Sequence, residues 1–215
     1  MPHPLTLQPL TGRWLKTNEA EQWIRALDIR DDGGRLRVHV FGDEDWGEVA
    51  ADEIYALTPE SREAAAFVAN FKLPEHEVLV EANCNLGLLV VAAFTSGKTR
   101  QFTREFFCMD GQAEARPTEG SDAAARGRTG FSLSPSQTWI NTNPRGHVMQ
   151  LVATEDTLTI PDWGTVPLQR FEPDHAFSAQ FDGIRVQANV KGGVLVVAYF
   201  GRGIFRREFY WREAS

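Results

Sequence analysis

The sequence predicts an all-β protein made of two tandem, internally repeated antiparallel β-meander or barrel-like domains packed pseudo-symmetrically. Three observations carry that prediction. Apolar residues alternate with a period of two along most of the chain, sustained helical periodicity is absent, and four anchors recur in the same order in both halves. WLKTN at 14–18 returns as WINTN at 139–143, and DWGEV at 45–49 as DWGTV at 162–166. AFVANF at 66–71 returns as AFSAQF at 176–181, and VEANCNLGLLVVAAF at 80–94 as VQANVKGGVLVVAYF at 186–200. The intervals between anchors shorten in the second copy, which loops tolerate and packed strands do not.

In chain order, the run from Gly12 through Lys16 opens the first meander of six to eight short strands. Gly33 and Gly34 then join a run ending at Arg30 to one in which Leu36, Val38 and Val40 share a face opposite Arg37 and His39. Glycines that accept positive φ between alternating runs mark a tight hairpin. The stretch 42–53 is acidic around Trp46 and reads as a turn whose Asp45, with Asp162 in the second copy, caps backbone N–H groups. Residues 58–67 carry the only helical signals: Thr58 as N-cap, Pro59 at the first helical position and acids in the first turn.

The strand around 88–94 is apolar on both sides, with Leu88, Val90, Ala92 and Phe94 on one face and Leu89, Val91 and Ala93 on the other. The second copy repeats this at 194–200, and Leu89 and Leu195 read as outward. Such strands need a cover beyond their own core, supplied by the other copy or, in a homo-oligomer, by a second chain. Residues 110–130 are rich in Gly, Ala, Ser and charge and read as a linker, which sets the domains at 1–109 and 131–215.

A chain of 215 residues, 42% hydrophobic and 24% charged, is long enough for two cores and too apolar for wholesale disorder. Its net charge of −7 argues against nucleic-acid partners. The opening residues lack a secretory pattern, and no apolar run approaches the roughly 20 residues of a spanning helix, so a cytoplasmic location without membrane association is the expectation. Both cysteines, Cys84 and Cys108, lie in the first copy, so the shared scaffold needs no disulfide. No metal-ligand spacing links the five histidines, and no phosphate loop or other cofactor motif emerges, so neither a metal nor a cofactor is expected.

Gly12-x-Trp14 on the first strand with Arg104 on the last resembles the calycin barrels (lipocalins, fatty-acid-binding proteins and avidins). Trp139 and Arg207 match that pattern in the second copy, where Gln137 replaces the glycine. The resemblance implies an up-and-down barrel whose arginine lies against the tryptophan. Trp139-x-Asn141 is also similar to the avidin pattern, whose asparagine belongs to the ligand site, and this makes Asn141 a candidate. The tandem W-x-x-T-N and D-W-G pattern is similar to uncharacterised bacterial repeat domains.

Arg104 and Arg207 share faces with Phe102, Phe106, Phe205 and Phe209, and point either to barrel closure against Trp14 and Trp139 or to a clamp on a ligand carboxylate. Glu105 and Glu208 then face away, toward solvent or a cross-strand partner. Trp23, Trp46, Tyr55, Trp163 and Tyr199 supply aromatic walls, with first-copy loops around Trp46 and Tyr55 expected to make the ligand contacts. Together these residues point to a non-enzymatic module binding a small, partly apolar molecule or a glycan. The alternatives are a cofactor-free cyclase or isomerase of bacterial secondary metabolism using a barrel cavity, and a structural or regulatory protein-binding unit.

Overall fold

The computed structural model describes residues 4–17, 23–85, 87–96, 100–111, 136–144, 146–171, 176–191 and 194–213. The chain divides into two compact units, Met1–Arg128 and Thr129–Ser215. Most of the expected linker, from residue 112 onward, lies outside the described residues.

The first unit holds nine strands: β1 (Gly12–Lys16), β2 (Ile24–Asp32), β3 (Arg35–Gly42), β4 (Asp45–Ala50), β5 (Glu53–Ala56), β6 (Ala64–Lys72), β7 (Glu77–Asn85), β8 (Leu88–Ser96) and β9 (Phe102–Met109). They pair antiparallel in the order β4-β3-β2-β1-β9-β8-β7-β6-β5. Leu27, Val38, Trp46, Phe67, Val80, Val91 and Phe107 turn one face of this curved sheet onto a single core. The count exceeds the expected six to eight because the acidic stretch after Gly42 contributes two strands, β4 and β5. Between them the Ala51 N–H donates to the Leu36 carbonyl and the Asp52 N–H to the Val68 carbonyl, each at 2.8 Å.

The second unit is a closed eight-stranded antiparallel barrel. Its strands are β10 (Gln137–Asn141), β11 (Gln150–Ala153), β12 (Thr157–Ile160), β13 (Gly164–Phe171), β14 (Ala176–Phe181), β15 (Ile184–Lys191), β16 (Val194–Gly201) and β17 (Ile204–Arg212). Each pairs with its neighbour in sequence, and β17 returns to β10 to close the ring.

The glycine hairpin forms as its chemistry requires. Asp32 pairs with Arg35 across a two-residue connection, Gly33 and Gly34 take φ of 62° and 87°, and the Asp31 carboxylate accepts the Gly34 N–H at 2.7 Å. The helical expectation for 58–67 is overturned. One turn forms, with the Ser61 N–H on the Thr58 carbonyl at 3.1 Å, and the chain then enters β6. Local preference among these residues differs by only a few tenths of a kcal/mol each. Against it stand two full ladders, to β5 and β7, and a bridge in which Thr6 takes the Arg62 carbonyl and offers its own to Ala64.

β8 and β16 are dry on both faces. Leu89, Val91 and Ala93 are 0% exposed within the first core, while Val90 and Phe94, on the reverse face, are each 3% exposed. Leu195, Val197 and Tyr199 face the second core, and Phe200 is buried on the reverse face. Leu89 and Leu195 therefore point inward, against expectation. The ladder decides this for Leu89: it stands between Cys84 and Phe107, and both neighbours pack into the core.

Where the repeated sequence segments form strands, several pairings match between the two units. Val80 opposite Ala93 and Ala92 opposite Arg104 become Val186 opposite Tyr199 and Ala198 opposite Arg207. Lys16 opposite Phe107 becomes Asn141 opposite Tyr210. These rows can therefore be compared between the units, side chain by side chain.

Candidate functional site

The two arginines do not close a barrel over tryptophan. Trp14 and Phe107 lie in the first core, so alternation along β9 turns Arg104 to the reverse face, where its guanidinium lies 5.8 Å from the Phe106 ring centroid. Arg207 likewise lies 5.7 Å from the Phe205 ring, while Trp139 and Tyr210 face the second core. Burial lowers the Arg104 pKa from its ordinary value. The Trp14 indole N–H instead donates to the Leu10 carbonyl at 3.0 Å, tying the entry loop under β1.

The same parity overturns the expectation for the neighbouring glutamates, which point inward. Glu105 is 4% exposed, ion-paired with Lys16 at 2.8 Å, and accepts the Thr103 hydroxyl at 3.0 Å. A buried carboxylate survives only with charge and hydrogen-bond compensation, and the first unit supplies the charge from β1 and the hydrogen bond from β9 itself.

The first-unit aromatics do not converge. Trp46 lies in the core, its ring 5.3 Å from Trp23 and 5.8 Å from Phe71. Tyr55 sits opposite Ala66 on the reverse face of the sheet and donates its hydroxyl to Glu53. The acidic stretch disperses as well: Asp43 meets Arg25, Glu48 meets Arg30, and Asp52 accepts from Asn70. Asp45 caps its turn, accepting the Gly47 N–H at 2.8 Å and contacting His39 Nε2 at 2.6 Å, and these two bonds lower its pKa.

The second barrel gathers its polar groups in one corner. Glu208 Oε2 accepts from the Tyr210 hydroxyl at 2.7 Å, the Asn141 amide at 3.0 Å and the Val148 N–H at 3.2 Å, while Oε1 accepts the His147 N–H at 2.5 Å. Tyr210 lies 2.6 Å from the Tyr199 hydroxyl, and the Tyr199 ring packs 5.6 Å from Trp163. Trp163 in turn stands 6.0 Å from the His147 ring. Of the residues singled out in sequence, Asn141, Trp163 and Tyr199 thus meet around one cluster; Arg207 lies on the other face of β17, and Trp46, Tyr55 and Arg104 belong to the first unit. The chain matches no family model, no curated protein and no solved structure.

The loop between β10 and β11 brings the cluster together, and Gly146 is its close approach. A Cβ there would stand 2.1 Å from Asn141 Nδ2 and 2.6 Å from its Cγ, and the Asn141 amide is held by both Glu208 and the Val148 carbonyl at 2.8 Å. Gly146→Ala is expected to expel Asn141 and lower stability by about 1–3 kcal/mol, the scale of an overpacked site with lost hydrogen bonds. A chemical-denaturation curve checks it, and an unchanged midpoint would refute the close fit.

Proton direction follows from charge. Tyr210 donates to the carboxylate because a charge-assisted bond is stronger than one to another hydroxyl, and Tyr199 donates to Tyr210. Burial is the main cause raising both pKa values, so both hydroxyls stay protonated at neutral pH. In the unfolded chain they ionise near pH 10. Above that pH the unfolded state binds fewer protons than the folded one, and stability should fall as pH rises, by up to about 1.4 kcal/mol per unit for each tyrosine. Denaturation midpoints from pH 9 to 11 test this, with Tyr210→Phe expected to flatten the slope.

Three features of the cluster escaped the sequence reading: Glu208, Tyr210 and the loop backbone at His147 and Val148. A signal existed in the aligned copies, where Lys16, Phe107 and Ala93 are exchanged for Asn141, Tyr210 and Tyr199 at otherwise shared anchors. The loop contribution carries no such signal, because backbone donors look alike in every sequence.

Proposed function

We propose that the chain is a non-enzymatic binding protein, one calycin-like β unit written twice, whose second barrel receives a small, partly apolar ligand beside Asn141, Trp163, Tyr199 and Glu208. The shared strand registers support the duplication. One contrast carries the binding reading. The first unit neutralises its inward carboxylate with its own lysine, whereas the second holds the equivalent carboxylate on neutral donors, partly open to solvent and beside the half-buried Trp163. Polar groups fixed at the edge of an aromatic surface suit orientation of a bound molecule.

The geometry favours binding over a cyclase or isomerase. The Tyr199 proton is directed to Tyr210 and the Tyr210 proton to Glu208, which leaves neither hydroxyl free to donate to a substrate, and Arg104 and Arg207, either of which such an enzyme would use as its electrophile, each lie on the reverse face of their strand. A ligand screen followed by amide NMR on the whole chain tests the reading. Ligands should shift the His147, Val148 and Trp163 signals; shifts confined to the first unit would refute it.

A further inference from the structure

We infer that the ligand of the second barrel carries an ammonium group and binds it at Glu208, supplying the positive charge that the Lys16 ammonium supplies to Glu105 in the first unit; this rests on the binding reading above. Three observations converge on it.

The first is the ladder equivalence. Lys16 lies opposite Phe107 with Glu105 two residues earlier on the same strand, and Asn141 lies opposite Tyr210 with Glu208 two residues earlier. The fold therefore puts an inward carboxylate beside the same β1 or β10 position in both units. In the first, that position reaches the carboxylate with a cation at 2.8 Å; in the second, with a neutral amide at 3.0 Å. Shortening the side chain from lysine to asparagine leaves the carboxylate without the ammonium.

The second is the distribution of donors on Glu208. Among the described residues, Oε2 takes three donors while Oε1 takes only the His147 N–H, and no cationic side chain lies within ion-pair distance. Each carboxylate oxygen offers about two acceptor sites, so Oε1, with one donor, retains capacity for a further, charged donor. The four donors fix the carboxylate in place without neutralising it, and Glu208 keeps partial contact with solvent.

The third is the aromatic neighbour. The same His147 whose N–H reaches Oε1 has its ring 6.0 Å from Trp163, which is half-buried and packs against Phe181 and Tyr199. His147 thus links the two, its backbone N–H on the carboxylate and its ring toward the indole, and a carboxylate with an indole in the same corner suits an organic ammonium ion, by charge at one end and ring quadrupole at the other. The overall charge of −7 favours approach of a cation.

The experiment uses the full chain and three probes: phenethylammonium, its neutral counterpart 2-phenylethanol, and phenylacetate. Amide shifts of His147 and Val148 report the site directly. Phenethylammonium should bind saturably, at least tenfold more tightly than 2-phenylethanol, and phenylacetate should not bind. Asn141→Lys should install the internal ammonium of the first unit and abolish phenethylammonium binding while the barrel stays folded. Glu208→Gln should abolish it as well, and if that variant unfolds, Asn141→Lys alone decides. Equal binding of amine and alcohol at these amides would overturn the ammonium inference and leave the binding reading standing. Preferred binding of phenylacetate would do the same in favour of an anionic ligand, and absence of binding by all three would overturn the inference and count against the reading it rests on. Undiminished amine binding by the folded Asn141→Lys protein would overturn the assignment to Glu208.

Discussion

Lys16→Met is expected to destabilise the first unit by about 3–5 kcal/mol, because it strands a carboxylate that is 4% exposed among apolar side chains. The pair itself contributes far less than that. Bringing both ions out of water costs several kcal/mol each, and their attraction roughly repays it, so the penalty of the single variant comes from the charge left behind. Lys16→Met combined with Glu105→Leu should therefore recover most of the loss and can exceed the parent. Urea midpoints of the two singles and the double, read as a cycle, check this. A double variant no more stable than Lys16→Met would show that Glu105 is held by something other than charge balance.

How much of this was legible follows from which interactions set each feature. Strand identity is written locally: 35–42 alternates, and the Gly33-Gly34 turn between two such runs admits one hairpin geometry, so that part of the fold could be read directly. Residues 58–67 misled because capping chemistry at Thr58 and Pro59 is local too, whereas the ladders that claim β6 come from β5, β7 and the bridge at Thr6. Face assignment failed at β9 and β17 for a related reason. Phe102, Arg104 and Phe106 share a face with as much apolar area as Glu105 and Phe107 offer, so alternation alone does not say which face meets the core. The partner strands decide: Glu105 stands opposite Val91 and Glu208 opposite Val197, and both valines face a core.

Part of the cluster was legible in sequence. Asn141 was singled out by its avidin-like pattern and Trp163 as an aromatic wall, and the structure brings the two together, whereas Arg207 lies on the reverse face of β17 because the face of that strand was misassigned. Glu208 was dismissed once its face was misassigned. The exchange of Lys16 for Asn141 held the information all along, but reading it required knowing that the carboxylates point inward, which is a tertiary fact.

Tyr199→Ala is expected to cost the second barrel about 3–5 kcal/mol, among the largest effects of any single truncation there. The equivalent position in the first unit is Ala93, 0% exposed, so alanine suits the backbone and the strand; the cost must come from what surrounds Tyr199. Its ring fills the space against Trp163, and truncation leaves a cavity beside Trp163 that a closed barrel collapses only in part. Its hydroxyl supplies the donor to Tyr210, which is 0% exposed, so that oxygen loses a partner as well. Tyr199→Phe separates the two contributions: it keeps the packing and removes the hydrogen bond, for a loss of about 1 kcal/mol. Denaturation of both variants, with tryptophan fluorescence following Trp163, reads the difference. If Tyr199→Phe costs as much as Tyr199→Ala, the cluster is held by its hydrogen-bonded chain to Glu208 rather than by the ring. The barrel would then be polar-anchored, and any ligand that draws on Glu208 would loosen it as it binds. If Tyr199→Phe is mild, the ring holds the wall and the carboxylate can engage a ligand while the fold stays intact, which is what a binding site at this corner requires.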